Sequence, residues 1–265
     1  MTIRPSRHTQ TVSPRYPARK SPCGESLVWA LVRTSLRRMF VRVRLREMGG
    51  NPRAAGLPLL VIANHPSWWD GYLALLLSRQ FGVRRYLMMD AAQLKRYRFF
   101  AWAGCFGIER TDARDVARGI AYATDLLRQA EPAWLWLFPQ AEITPPRARP
   151  LSFHAGAAHI VRRASVGGRT VGVLPVAWEL VFRGEQHPEV VMLVGDIITF
   201  DEERARDMPS VSVCLSNALT VVMDAVGNDI MRDDLTAYRT ILRGRAGVND
   251  RFDRLLRRRR LVAEP

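Results

Sequence analysis

The sequence alternates short apolar runs with longer segments in which apolar residues recur every three or four positions. The apolar runs are typical of buried β-strands and lie at 57–64, 83–89, 106–110, 133–139, 170–180 and 189–196. The segments with helical periodicity lie between or after them, at 67–78, 91–104, 113–131, 155–164 and 211–230. Strands that alternate with helices predict an α/β fold, with a mixed, largely parallel sheet flanked by helices.

Four regions are expected along the chain. Residues 1–24 are basic and rich in Pro and Ser but lack the apolar stretch of a secretory signal, so we predict a disordered basic arm. Residues 25–48 are predicted to form an amphipathic helix, and residues 49–245 the α/β domain. Residues 246–265 are predicted to form a basic tail.

The segment 25–48 has two interpretations. Its apolar residues alternate with arginines, which suits either a helix that lies on a membrane with its cations on lipid phosphates or a surface helix packed on the core. No stretch of the chain reaches the roughly eighteen apolar residues expected of a spanning helix, and arginines interrupt the best candidate, 26–45. We therefore expect a peripheral or monotopic protein rather than one that crosses the bilayer.

The charge of the chain indicates an anionic partner. Forty Lys and Arg stand against twenty-five Asp and Glu, which leaves a net charge of +15. A membrane surface with anionic lipids, a nucleic acid and an acidic substrate all fit this charge. The three cysteines, Cys23, Cys105 and Cys214, have no CxxC spacing, so we expect no metal site, no disulfide framework and a reducing compartment.

The stretch NHPSWWDG places His65 and Asp70 directly after the first predicted domain strand, in the strand-to-helix turn. In one interpretation, Asp70 only completes a capping box with Ser67. In the other, Asp70 accepts a hydrogen bond from one ring nitrogen of His65, and the other nitrogen is left as a base for an alcohol proton. These residues alone leave both interpretations open.

Three further segments carry a resemblance to a known family: GCFGIER (104–110), FPQAEITPP (138–146) and VLPVAWEL (173–180). Together with the His-four-residues-Asp pattern, in this order, the sequence resembles the phospholipid/glycerol acyltransferase family. That family includes the lysophosphatidate (1-acylglycerol-3-phosphate) O-acyltransferases. The resemblance runs from about residue 57 to about residue 180 and implies a glycerolipid acyltransferase-like fold.

The resemblance implies roles for individual residues. His65 would be the general base and Asp70 the residue that orients it. Gly104, Ile108 and Arg110 match the second motif, whose arginine binds the acceptor and often its phosphate. Pro175 matches the proline of the fourth motif.

The third motif departs from the usual Phe-Pro-Glu-Gly-Thr-Arg. Phe138 and Pro139 agree, but Gln140 replaces the glutamate, Ala141 the glycine and Ile143 the arginine. One phosphate-binding charge is therefore missing from the motif. Candidate replacements in the same loop are Glu142, Arg147 and Arg149. A neutral Gln140 can still hydrogen-bond a hydroxyl of the acceptor.

The resemblance implies an O-acyltransferase of phospholipid biosynthesis that moves a fatty acyl group from acyl-CoA or acyl carrier protein to a lysophospholipid or other lipid hydroxyl. It implies these cosubstrates but no further cofactor, and a place on the cytoplasmic side of the membrane. The alternative is a basic nucleic-acid-binding protein without catalysis, which only the charge favours, so we expect no nucleic-acid partner. A hydrolase using Ser67 lacks the Gly-x-Ser-x-Gly elbow around its nucleophile.

Overall fold

The structure is a computed structural model that describes residues 13–245. A nine-stranded sheet forms the centre of the protein. The strands are β1 (Arg42–Glu47), β2 (Leu59–Ala63), β3 (Arg85–Asp90), β4 (Cys105–Ile108), β5 (Trp134–Leu137), β6 (Val171–Val181), β7 (Glu189–Val194), β8 (Ile198–Phe200) and β9 (Arg239–Arg243). Their order is β4-β3-β5-β2-β6-β7-β1-β9, and β8 pairs with β6 beside this path. The run from β4 to β6 is parallel throughout. The predicted mixed, largely parallel α/β sheet is confirmed.

Helices cover both faces of the sheet. They are α1 (Pro22–Met39), α2 (Asp70–Gln80), α3 (Ala91–Arg96), α4 (Ala113–Leu127), α5 (Gly156–Ser165) and α6 (Met208–Met231). The apolar residues of α1 and α2 belong to the core on one face, and those of α4, α5 and α6 to the core on the other. Because β2 is buried on both faces, it is continuously apolar instead of alternating.

The predicted helix over 25–48 is wrong in its second half. The helix ends at Met39, and residues 42–47 form β1, which pairs with β7 and β9 inside the sheet. The stretch RVRLRE alternates with the period of a strand, and its arginines bind carboxylates instead of facing lipid: Arg42 and Arg44 both contact Glu189, at 3.1 and 2.7 Å. The α/β domain therefore begins before residue 49.

Part of the predicted disordered arm packs on the domain. From residue 13 onward the chain is described, and the N–H of Gly107 donates to the carbonyl of Tyr16 at 2.8 Å, which covers the outer edge of β4. The N–H of Arg19 donates to the carbonyl of Ala101 at 2.9 Å. Residues 1–12 of the predicted arm and the predicted tail at 246–265 lie outside the described residues.

Two further predictions differ from the structure. The helix expected over 91–104 is the short α3 followed by a 3₁₀ turn, Arg98–Ala103, which ends at Gly104 with a positive φ of 89°. The C-terminal third holds β9 in addition to α6. Contrary to expectation, α6 is long and apolar enough to cross a membrane. One side of it is nevertheless buried in the core, through Leu215, Leu219 and Val226.

Candidate active site

The sheet brings three of the sequence motifs to one edge. The strands β2, β5 and β4 are parallel members of the same sheet, so the turns that follow them leave from the same side. His65 follows β2, Phe138 follows β5 and Arg110 follows β4. The carboxyl edge of a parallel sheet is where α/β folds place ligand-binding groups.

Asp70 is the most completely bonded side chain at this edge. It is 0% exposed at the first position of α2, and each of its two carboxylate oxygens accepts two hydrogen bonds. Oδ2 accepts from Nδ1 of His65 at 2.6 Å and from the N–H of Ser67 at 2.9 Å. Oδ1 accepts from Oγ of Ser67 at 2.7 Å and from the indole N–H of Trp178 at 2.8 Å. A buried carboxylate needs this degree of pairing, because an unpaired one would be very costly.

These bonds fix the tautomer of His65. A backbone N–H and an indole N–H can only donate, so Asp70 is held as an acceptor and the proton of the shared bond lies on Nδ1 of His65. In the neutral ring, Nε2 then carries the free lone pair. The imidazole side chain is 24% exposed, so it remains within reach of a ligand at the edge of the sheet.

Both interpretations of Asp70 are partly right. The carboxylate accepts the N–H of Ser67, as in one half of a capping box, but α2 begins at Asp70 and its cap residue, Trp69, makes no side-chain capping bond. The same carboxylate also holds His65. The hydroxyl of Ser67 bonds to Asp70, and no bond between Ser67 and His65 occurs among the described residues, so the geometry gives a hydrolase nucleophile no support.

The loop after β5 holds the backbone of His65 from both sides. The N–H of His65 donates to Oε1 of Gln140 at 3.0 Å, and its carbonyl accepts the N–H of Thr144 at 2.9 Å. The amide of Gln140 also donates to the hydroxyl of Thr144. Gln140 is only 2% exposed, so the expectation that it bonds an acceptor hydroxyl gives way to a positioning role beneath the histidine.

The ring of Phe138 packs against one face of the His65 imidazole. Its ring lies 4.7 Å from that of His65, centre to centre, with only 20° between the planes. It also makes an edge contact with Trp178 at 6.2 Å. The histidine is therefore held by Asp70 at one nitrogen, by Gln140 at its backbone and by Phe138 on its face.

Arg110 reaches the same edge. Its guanidinium donates to the carbonyl of Ala141 at 2.6 Å, so β4 is connected to the loop after β5. Ala141 stands where the family has glycine and has a positive φ of 59°, the left-handed conformation that glycine adopts without strain. Arg110 is exposed, and its remaining N–H groups are able to meet an anion.

Two arginines of the loop after β5, Arg147 and Arg149, are directed away from Asp70. Arg147 lies 3.6 Å from Oε2 of Glu179, and Arg149 pairs with Asp224 of α6. Glu179 follows Trp178 on β6, so their side chains point to opposite faces of the sheet, Trp178 toward Asp70 and Glu179 toward α6. Their placement gives no support to the expectation that Arg147 or Arg149 replaces the missing motif charge.

Gly104, Pro175 and Pro139, which are also expected to bind substrate, lie in the framework of the sheet and its loops. Gly104 precedes β4, whose four residues span roughly 13 Å, and therefore lies at the opposite end of the strand from Arg110. Pro175 is buried within β6 beside Ile62, where the pairing of β6 changes from β8 to β7 and a missing N–H costs no ladder bond. Pro139 is buried and accepts the N–H of His154 at 2.9 Å. Glu142, in contrast, is exposed next to Ala141.

Sequence reasoning missed three residues of the site. Trp178 bonds Asp70, Thr144 bonds the carbonyl of His65, and the side chain of Asn64 bonds both the N–H and the carbonyl of Trp178, at 3.0 and 2.9 Å. Asn64 thereby ties the end of β2 to β6. A polar residue at the end of a wholly apolar strand was the available signal for Asn64.

Comparison with known proteins identifies the family of the chain. A search of curated proteins found no match. A family model described as Acyltransferase matches residues 43–179, more than half of the 265-residue chain and every motif residue from His65 to Pro175. The match supports acyltransferase activity and gives the nucleic-acid alternative no support. The chain therefore belongs to the glycerolipid acyltransferase family, which its motifs resemble.

Proposed function

We propose that the protein is an O-acyltransferase that moves a fatty acyl group from acyl-CoA or acyl carrier protein to a hydroxyl of a lipid acceptor, with His65 as the general base. The observation that carries the proposal is the 2.6 Å contact between Nδ1 of His65 and the fully buried carboxylate of Asp70. This contact leaves Nε2 as the basic atom.

The reaction then needs no covalent enzyme intermediate. Nε2 of His65 takes the proton of the acceptor hydroxyl as its oxygen attacks the thioester carbonyl. The new C–O bond forms, the C–S bond breaks, and the proton passes from the imidazolium to the thiolate that leaves. Asp70 stabilises the imidazolium while it exists, and a base positioned in this way contributes about 10²–10⁴-fold to the rate.

Arg110 is the proposed contact for the phosphate of a lysophospholipid. It is the arginine of the second motif, it lies at the same edge as His65, and the described residues place no carboxylate within ion-pair distance of it. Because Arg147 is paired with Glu179, the acceptor site has fewer arginines than the family pattern implies. A lysophosphatidate acceptor and a neutral hydroxylated lipid are both compatible with this site.

An exposed aromatic surface supports contact with a membrane. Trp68 is 53% exposed next to the active-site turn, and its ring contacts Tyr72, which contacts Phe100. Trp102, Leu27 and Leu31 are also more than 40% exposed, and Trp102 lies against Gly24 of α1. Trp and Tyr favour the membrane interface. We propose a peripheral protein on the cytoplasmic side of a membrane with anionic lipids.

The test is acyl transfer by purified protein from radiolabelled long-chain acyl-CoA and, separately, from acyl carrier protein. Lysophosphatidate and monoacylglycerol form a matched acceptor pair, because they differ only in the phosphate. His65→Ala is the control for enzyme-dependent transfer. Transfer that depends on His65 supports the proposal. If no such transfer occurs with any donor or any acceptor, including a glycosylated lipid, the proposal is wrong.

Arg110→Gln then separates the acceptors. If Arg110 binds the phosphate, this variant raises KM for lysophosphatidate roughly tenfold and leaves transfer to monoacylglycerol unchanged. Arg114→Gln is the matched control, since Arg114 is an exposed arginine of α4 four residues further on. Equal behaviour of the two variants would contradict the assignment of Arg110.

A further inference from the structure

A groove of about 360 Å³ lies between α1, the C-terminal end of α2 and β9. Four arginines line it: Arg33 and Arg37 from α1, Arg79 from α2 and Arg243 from β9. The side chains of Trp29 and Leu76 form part of its apolar surface. We call these four arginines and Trp29 the basic groove.

In the described part of the chain, the arginines of the basic groove have no carboxylate partner. Within residues 13–245, no Asp or Glu oxygen lies within 4.0 Å of their guanidinium nitrogens, and no acidic residue lines the groove. The neighbouring strand β1 is different. Its arginines Arg42, Arg44 and Arg46 each bind a carboxylate. The described residues therefore neutralise the arginines of β1 and leave those of the groove with unmatched charge.

The groove is also partly fixed in shape. The guanidinium of Arg79 lies over the ring of Trp29, 5.6 Å from its centre, a cation–π contact that limits the positions of this side chain. Arg33 and Arg37 are one helical turn apart, so they present their charges on the same side of α1. Like charges held close together repel one another, and a bound anion would remove that repulsion.

We propose that the basic groove binds a phosphate-bearing anion. Guanidinium groups bind phosphate oxygens in a bidentate manner, and an exposed, concave arrangement of four suits a phosphodiester or a diphosphate. The headgroup of an anionic phospholipid and the phosphates of a soluble ligand share this chemistry.

The basic groove is separate from the candidate active site. Asp70 and Arg79 are at opposite ends of α2, roughly 13 Å apart along the helix axis. The proposal therefore does not rest on the proposed acyl transfer, and a binding measurement tests it without any reaction.

The test compares two double variants with a matched control. Arg33→Gln/Arg37→Gln and Arg79→Gln/Arg243→Gln each remove two charges from the groove. Arg162→Gln/Arg163→Gln removes two exposed arginines from α5, which packs on the other face of the sheet. Circular dichroism verifies that each variant is folded.

Two arms identify the source of the phosphate. In the first, inorganic pyrophosphate is added at constant ionic strength, and an excess of about a hundredfold over Kd should raise Tm by roughly 5 °C. In the second, sedimentation measures binding to vesicles of phosphatidylcholine with and without phosphatidylglycerol. A groove variant should bind the phosphatidylglycerol vesicles roughly tenfold more weakly than the control variant.

The outcomes of the two arms either support or contradict the proposed site. Loss of the pyrophosphate effect in both groove variants, but not in the control, supports a soluble ligand, and loss of vesicle binding alone supports a lipid headgroup. If the groove variants match the control in both arms, or if wild-type protein responds in neither, the proposal is wrong.

Discussion

The indole N–H of Trp178 donates a 2.8 Å hydrogen bond to Oδ1 of Asp70, the carboxylate that holds His65 through its other oxygen. Trp178 lies on β6 and is fully buried, whereas Asp70 begins α2. The sheet therefore takes part directly in orienting the histidine. The local turn from His65 to Asp70 supplies the rest of the arrangement.

Replacing Trp178 by Phe should lower kcat roughly tenfold with little change in KM. The substitution leaves Oδ1 of Asp70 with the Ser67 hydroxyl as its one remaining donor, so the orientation of His65 is less strictly held. A lost hydrogen bond to a carboxylate, together with lost packing, should also cost about 1–3 kcal/mol of stability.

Trp136→Phe is the matched control for this prediction. Trp136 is also fully buried, and its indole N–H donates to Oγ of Ser78 at 2.8 Å, away from Asp70. Its replacement should cost similar stability but leave kcat unchanged. If both variants lose activity equally at equal stability, Trp178 has no special part in positioning Asp70.

The two substitutions Gln140→Leu and Gln140→Glu should behave differently. Leucine leaves the N–H of His65 without its buried acceptor, which should cost about 1–3 kcal/mol and lower kcat severalfold. Glutamate retains an oxygen for that N–H and is able to accept the hydroxyl proton of Thr144. Unfolding by urea and steady-state kinetics measure the two effects. A change in acceptor preference with unchanged stability in both variants would instead return Gln140 to the substrate site.

Ala141→Gly should leave stability unchanged or raise it by up to about 1 kcal/mol. Ala141 has a φ of 59°, a conformation that costs an alanine about 1–2 kcal/mol, and relief of this strain offsets the greater freedom of glycine in the unfolded chain. Ala148 lies in the same loop without a positive φ, so Ala148→Gly should lower stability by about 0.4–1 kcal/mol. Urea unfolding of both variants tests the difference, and a destabilised Ala141→Gly would contradict the strain at this position.

Alkaline pH should destabilise the protein in part through Cys105. Burial raises the pKa of this thiol from 9.0 to about 11, so the folded protein holds a proton that the unfolded chain loses near pH 9. The stabilising contribution is therefore complete below pH 9 and is lost as the pH rises toward 11. Burial also raises the pKa values of Tyr72, Tyr122 and Tyr238.

Cys105→Ala separates the thiol from the tyrosines, which are present in both proteins. The unfolding free energy of the variant should fall less steeply between pH 9 and pH 11 than that of wild type. Parallel curves for the two proteins would show that the Cys105 thiol ionises in the folded protein as readily as in the unfolded chain.

The sequence predicted the parts of the fold that depend on local patterns. The apolar runs gave the central strands, and His65 and Asp70 are close because only four residues separate them. The contact of Trp178 with Asp70 spans 108 positions, and no local pattern indicates such a pairing. In the sequence the arginines of β1 suggest a polar helix face, whereas Glu189, the partner of Arg42 and Arg44, lies on β7.

The single-turnover rate of acyl transfer by His65→Ala tests most directly whether Nε2 of His65 accepts the proton of the acceptor hydroxyl. His154→Ala is the matched control, because His154 is exposed and bonds the loop after β5 only through its backbone N–H. If Nε2 is the base, His65→Ala lowers this rate by about 10²–10⁴-fold, His154→Ala retains near-normal activity, and the fold is unchanged in both variants. A folded His65→Ala variant that retains activity within about tenfold of wild type would contradict this role of Nε2.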